Sequence, residues 1–133
     1  MLTSIEELEA LYGEPHERSI RKEIPYVNDC YRAFIEQSPF IVLATAGPEG
    51  LDCSPRGDAP GFVRLIDART LAIPDRVGNN RIDSLRNVIV NPHVGLLFVV
   101  PGVGVLLLLR VRRGVPVHQQ LRAEVGLGGA GYR

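Results

Sequence analysis

The sequence predicts a mainly β protein with helices, of the α+β class: short antiparallel strands forming a small barrel, preceded by N-terminal helices. Three observations carry this. From Phe40 onward, short alternating or continuously apolar segments are bounded by Gly- and Pro-containing turns. The links between them, such as Asp67-Ala68-Arg69-Thr70, are too short for the crossovers that parallel strands need. A single helical pattern, Asn79 to Asn91, interrupts the strands. A doubly wound parallel sheet is excluded on the same ground. Gly102-Val103-Gly104 also lacks the third glycine of the dinucleotide fingerprint and runs into apolar residues, not a helix.

Taken in order, Ser4 to Glu7 fits a capping box, and Ile5, Leu8, Leu11 and Tyr12 recur on one helical face until Gly13 and Pro15 stop the helix. A second helix is expected from Asn28 or Asp29, presenting Tyr31, Phe34 and Ile35 to the core before Ser38-Pro39. Both are expected to pack through these faces. Phe40 to Thr45 and Leu51 to Arg56 read as a hairpin turning at 46–50, the second strand alternating Leu51, Cys53 and Pro55 against Asp52, Ser54 and Arg56. Phe62 to Ile66 and Leu71 to Pro74 form the next pair. Ile82, Leu85, Val88 and Ile89 mark the inserted helix, which ends at Asn91-Pro92 ahead of a strand from Val94 to Val100.

Length and composition bound the function. A chain of 133 residues, 45% hydrophobic and 23% charged, has room for one core. Its formal net charge of +0 argues against nonspecific nucleic-acid binding, which needs a strongly basic surface. A small-molecule or protein partner is expected, and no nucleic acid. The longest apolar run, Val103 to Leu109, is far short of the ~20 residues that span a bilayer, so no membrane segment is expected. Cys30 and Cys53 form no CxxC pair or disulfide framework, which with the lack of a signal-type leader points to a cytoplasmic protein.

Two clusters could carry chemistry. Arg56 shares a strand face with Ser54 and Asp58, which is either a hydrogen-bonding site or an ordinary solvated Arg–Asp face. Asp75, Arg76, Asn79, Asn80 and Arg81 gather around Gly78 just before the inserted helix. Glycine permits close backbone approach, asparagine donates amide hydrogens, and arginine grips phosphate oxygens with a planar fork. A phosphate cradle is one reading; a polar loop capping the helix is the other. His16, His93 and His118 have neither metal-binding spacing nor a nucleophile elbow nearby. Any catalysis would then belong to a bound cofactor, with the protein supplying binding, orientation and electrostatics.

The ordered set SPRGD, IPDRVGNNRIDSLRN and NPHVGLLFVVPG, spanning about Phe40 to Gly102, resembles the pyridoxamine 5'-phosphate oxidase-like flavoproteins with an FMN-binding split barrel, within them a subgroup of FMN-dependent enzymes. The resemblance implies an antiparallel split β-barrel and a homodimer with FMN at the subunit interface. It implies that Arg56 is the strand arginine near the FMN phosphate and that Pro74, Asp75 and Arg76 line the flavin. Asn79, Asn80 and Arg81 would reach the phosphate or ribityl chain, with Ser84 beside them. No catalytic acid or base and no metal is implied, so the expected activity is an FMN-dependent oxidoreductase acting on a small molecule. The alternatives are a noncatalytic flavin- or haem-related binding module, an inactive remnant of the enzyme, or a dimeric β protein without cofactor.

Three segments follow: a helical one (1–39), a split-barrel core (40–102) and a divergent tail (103–133). The tail carries five arginines and six glycines against the single acid Glu124, where similar proteins continue after the PG turn roughly as ETLRVNGRA and add a segment that completes the partner's cofactor site. A truncated gene with a shifted reading frame would produce such a tail. A genuine terminal strand, Val105 to Arg112 pairing with Val94 to Val100, is the other reading. Substrate-phosphate residues of a true pyridoxamine-phosphate oxidase are expected beyond Gly102, so that activity is not expected.

Overall fold

In the computed structural model the described residues are 3–21, 23–76, 78, 81–104, 106–113, 120–125 and 130–132; from 112 on, only the course of the strands is described. Helices α1 (Ile5–Tyr12), α2 (Glu17–Ile20) and α3 (Asp29–Gln37) precede β1 (Phe40–Gly47), β2 (Gly50–Gly57), β3 (Arg64–Asp67) and β4 (Thr70–Pro74). Helix α4 (Asp83–Val90) leads into β5 (His93–Val99), followed by β6 (Leu106–Arg113), β7 (Gln120–Val125) and β8 (Ala130–Tyr132).

The strands form one antiparallel sheet in the order β2-β1-β5-β6-β7-β4-β3, with β8 also pairing β6. Its end strands, β2 and β3, are not joined, so the barrel is split. The hairpin, the β3–β4 pair and the inserted helix occur in the predicted order, β3 starting at Arg64 rather than Phe62 and the helix at Asp83 rather than Asn79. Leu106–Arg113 pairs with β5 along its length from Leu106↔Val99 to Arg112↔His93, which is the terminal-strand arrangement.

The core is one layer of alternating side chains. Ile41 and Leu43 of β1, Leu96 and Phe98 of β5, and Leu107 and Leu109 of β6 are all buried, together with Leu71 and Ile73 of β4, Ile35 of α3 and Val88 of α4. Ser38 closes one end from inside, its hydroxyl within hydrogen-bond distance of the carbonyl oxygens of Phe40 (2.8 Å) and Val99 (2.9 Å). The two residues are ladder partners at the start of β1 and the end of β5, so the buried hydroxyl ties the two strand ends together.

The capping box forms: Ser4 accepts from the Glu7 amide, and the Glu7 carboxylate reaches back to the amides of Thr3 and Ser4, which hold its carboxyl below the usual value. Two expectations change. No residue of α1 is buried: Ile5, Leu8, Leu11 and Tyr12 form the predicted stripe and it lies in solvent. In α4 Ser84 and Val88 are buried and Leu85 half-buried, while Ile89 and, just before the helix, Ile82 are exposed. The helix is rotated from its apolar face because Ser84 and Asn87 bond to polar groups of the β1–β2 hairpin.

Strand β2 alternates as predicted, with the faces in an unusual sense. Asp52, Ser54 and Arg56 are half-buried, and Leu51, Cys53 and Pro55 are exposed, Leu51 by 89%. A hairpin facing water would do the reverse. The inward polar face is where the candidate site lies.

Candidate cofactor site

Where β2, one edge of the split sheet, ends and the chain leaves β4, side chains tie the two segments. The Arg56 guanidinium lies 3.7 Å from the Asp75 carboxylate, and Arg76 donates from Nε (3.0 Å) and Nη2 (2.7 Å) to Asp58 Oδ2. The second pair is a charge-assisted fork; the first is too long for a hydrogen bond. Strand alternation puts Arg56 inward, and Pro74 turns the end of β4 so that Asp75 faces it.

A crevice of about 10 Å³ lies between these ends, bordered by Arg56, Pro74, Asp75 and Ser84 over a floor of Leu43 and Ile73. It holds one water at most. The Arg56 Nε–H is buried there without a hydrogen-bond partner. A buried donor left unpaired costs about 1–3 kcal/mol, so this atom is one that a ligand oxygen would satisfy. Ser84, at the start of α4, donates to Asp52 Oδ2 at 2.7 Å, and Asn87 one turn on donates to Thr45 Oγ1 at 3.1 Å. These two bonds hold α4 against the hairpin. The approach is close enough that a Cβ at Gly47 would collide with the Asn87 amide.

Asp58 accepts from the Ala59 amide as well as from Arg76, and these bonds hold its carboxyl below the usual carboxylate value of 3.8. A carboxyl with a depressed folded pKa adds stability above its unfolded pKa and loses it as pH falls through the folded one. The Arg76–Asp58 tie is therefore expected to persist at pH 5 and to release only below the ordinary value. An NMR titration following the Asp58 carboxyl and the Arg76 Nε–H should give both one midpoint below 3.8; a midpoint at or above it would count against the tie.

Arg81 stands apart from the crevice. Its guanidinium donates to Asp83, and it lines a separate groove of about 450 Å³ between the β1–β2 turn and α4, with Glu49, Asp52 and Arg86. Asp52 connects the two places, since it borders the groove and accepts from Ser84.

A family model for pyridoxamine 5'-phosphate oxidase matches residues 27–124. The chain belongs to the pyridoxamine 5'-phosphate oxidase family. The family match begins before Phe40 and continues past Gly102 through β6 into β7, further than the sequence motifs reach at either end. Among solved structures, HupZ of Group A Streptococcus is similar with a TM-score of 0.55 at 14% identity, over 80% of this chain and 99% of that one. A substituted form of the same protein gives 0.62 at 11% identity over the same shares. An FMN-binding protein from Syntrophomonas wolfei gives 0.53 at 9% identity, over 77% and 88%. At such identities the likeness is one of fold. No curated protein matches the chain.

Every described candidate residue lies inside the family match. The fold brings Arg56, Pro74, Asp75 and Ser84 around one crevice, sets Arg76 beside it in the Asp58 pair, and places Arg81 in the adjoining groove. Asn79 and Asn80 lie outside the described residues. Asp58 stands past the end of β2, paired with Arg76 and not with Arg56. Asp52 was not among the candidate residues, although it accepts from Ser84 and borders the groove. Its alternation with Ser54 and Arg56 was visible, but its partner Ser84 is 32 residues away. Among the described residues there is no cluster of potential metal ligands, and no helix is long and apolar enough to cross a membrane.

Proposed function

We propose that this chain binds FMN through the Arg56 crevice and acts as an FMN-dependent oxidoreductase on a small substrate. The buried, unpartnered Arg56 Nε–H carries the reading. The donors nearby suit a phosphate: the Arg56 guanidinium with a spare N–H in the crevice, Arg76 beside it, and Arg81 in the adjoining groove. The crevice is too small to enclose a phosphate, so the group would sit at its mouth. The 3.7 Å contact with the half-exposed Asp75 is a weak one to exchange for a phosphate oxygen. Bound FMN would supply hydride or electron transfer; the chain's own part is to hold the phosphate and shield the flavin.

The same reading includes a homodimer. Phe40, Val42, Val99 and Leu106 share the outward face of the sheet, and β1, β5 and β6 carry them side by side in register. Phe40 and Leu106 are more than a third exposed, as positions awaiting a partner would be. Exposed, unpaired Cys30 and Cys53 suit a reducing cytoplasm. The composition of 103–133 supports a divergent tail, and the gene's nucleotide sequence tests for a shifted frame: a family-like continuation after Gly102 in another frame would establish it.

The absorption spectrum and an FMN titration of the purified chain test the function. A flavin band that bleaches with a reduced nicotinamide donor is the expected result. Colour without turnover would indicate a noncatalytic flavin- or haem-related module or an inactive remnant, and colourless protein not stabilised by excess FMN would remove the cofactor altogether. Arg81→Ala is expected to weaken FMN binding several-fold, and Arg69→Ala, in the β3–β4 turn, to leave it unchanged. Equal effects in a flavin-fluorescence titration would remove Arg81 from the phosphate side.

A further inference from the structure

Helix α1 is closed at both ends and covered on neither side. Ser4 caps its start, and Gly13, at φ 67°, ends it by donating its N–H to the Glu9 carbonyl at 2.8 Å. Ile5, Leu8, Leu11 and Tyr12 line one face, and all four are exposed, by 45% to 76%. A helix this short is marginal in water by itself, and amphipathic helices draw most of their stability from packing the apolar face. The charge of the segment narrows what can cover it. Residues 1–17 hold Glu6, Glu7, Glu9, Glu14 and Glu17 and no lysine or arginine. Helices that lie on membranes carry basic residues beside the apolar stripe, so an anionic lipid surface is disfavoured.

The outward face of the sheet offers an apolar complement. Near the end of β1, Ala44 and Ala46 form with Gly95 of β5 the floor of a hollow of about 520 Å³, walled by Leu51. The adjacent outward positions hold the larger Val42 and Leu97. A Cβ at Gly95 would meet only the Cβ of Ala44, at an ordinary 3.6 Å. Packing within the chain therefore does not require glycine in mid-strand, where it weakens the sheet; what the absent side chain preserves is space. The hollow continues the face of Phe40, Val42, Val99 and Leu106, assigned above to the dimer contact. A two-fold axis through that face gives each subunit both a bare helix and a hollow, so a contact between them is made twice.

We propose that α1 of each subunit docks its Ile5–Leu8–Leu11–Tyr12 face into this hollow on the other subunit. The docking rests on the homodimer read above and names the segment that each subunit lends to it.

Sedimentation equilibrium of the full chain and two variants provides one test. Leu8→Asp is expected to raise the dimer dissociation constant at least about a hundredfold, since an apolar contact is lost twice per dimer. Ala10→Asp sets the same charge on the opposite side of the helix and should leave the constant unchanged. Both positions are exposed, so neither substitution disturbs the core. A photo-cross-linking benzoylphenylalanine in place of Leu11 provides the second test. It should yield a species of twice the chain mass, joined through β1 or β5 at residues 44–46 or 93–97. Leu8→Asp dimerising as tightly as the parent would overturn the docking and leave the homodimer standing. A cross-link within one chain, or to another surface, would overturn it as well. A parent chain that is monomeric throughout would remove the homodimer and the docking together.

Discussion

Arg56→Ala is expected to weaken FMN binding by about 3 kcal/mol, somewhat more than a hundredfold in dissociation constant, through loss of charge-assisted hydrogen bonds to the phosphate. The unliganded protein should lose little stability. The residue removed has a buried N–H with no partner, and its ion pair with Asp75, the one it makes among the described residues, is long and partly solvated. Arg56→Lys should recover only part of the affinity, since an ammonium keeps the charge without the planar fork. Flavin fluorescence for affinity and thermal unfolding without FMN separate the two effects. An unchanged dissociation constant for Arg56→Ala would remove the crevice from the flavin site. A fall in affinity matched by an equal loss of apo stability would mean that Arg56 serves the fold.

Phe98→Ala is expected to cost about 3–5 kcal/mol of folding stability, read from urea unfolding. Phe98 is fully buried on β5, the strand between β1 and β6, and pairs with Ile41 on one side and Leu107 on the other. Removing the ring leaves a cavity bounded by strands that cannot close over it. Domains of this size are stable by only about 5–15 kcal/mol, so much of the margin goes with one side chain. Ile89→Ala, on the exposed side of α4, should change stability by less than about 0.5 kcal/mol. If the two substitutions had similar effects, Phe98 would not be at the centre of the core.

Much of the fold was legible because it is local. Asn28 caps α3, Ser38-Pro39 ends it, and the β1–β2 turn and the β3–β4 turn lie where the turn residues put them. The apolar stripe of α1 was equally clear and misled, because a periodic pattern shows that a helix has an apolar face and not that its own chain supplies a surface to cover it. In α4 the apolar residues Ile82 and Ile89 face out, since bonds from Ser84 and Asn87 to Asp52 and Thr45 set the helix's rotation. Those partners are 32 and 42 residues away, beyond any periodicity.

The sequence by itself determined the class of the protein, the order of its strands along the chain and the residue types suited to holding a phosphate, all of which depend on neighbours a few positions apart. Only the tertiary structure decided which of those residues meet. The sheet stays open between β2 and β3, so the end of β2 and the exit of β4 face one another through side chains rather than a backbone ladder. That split draws Arg56, Asp75 and Ser84 together, leaves Arg81 in the next groove, and keeps one arginine N–H buried without a partner. Such pairings arise from contacts distant in sequence, whose energies appear only once the strands are in register.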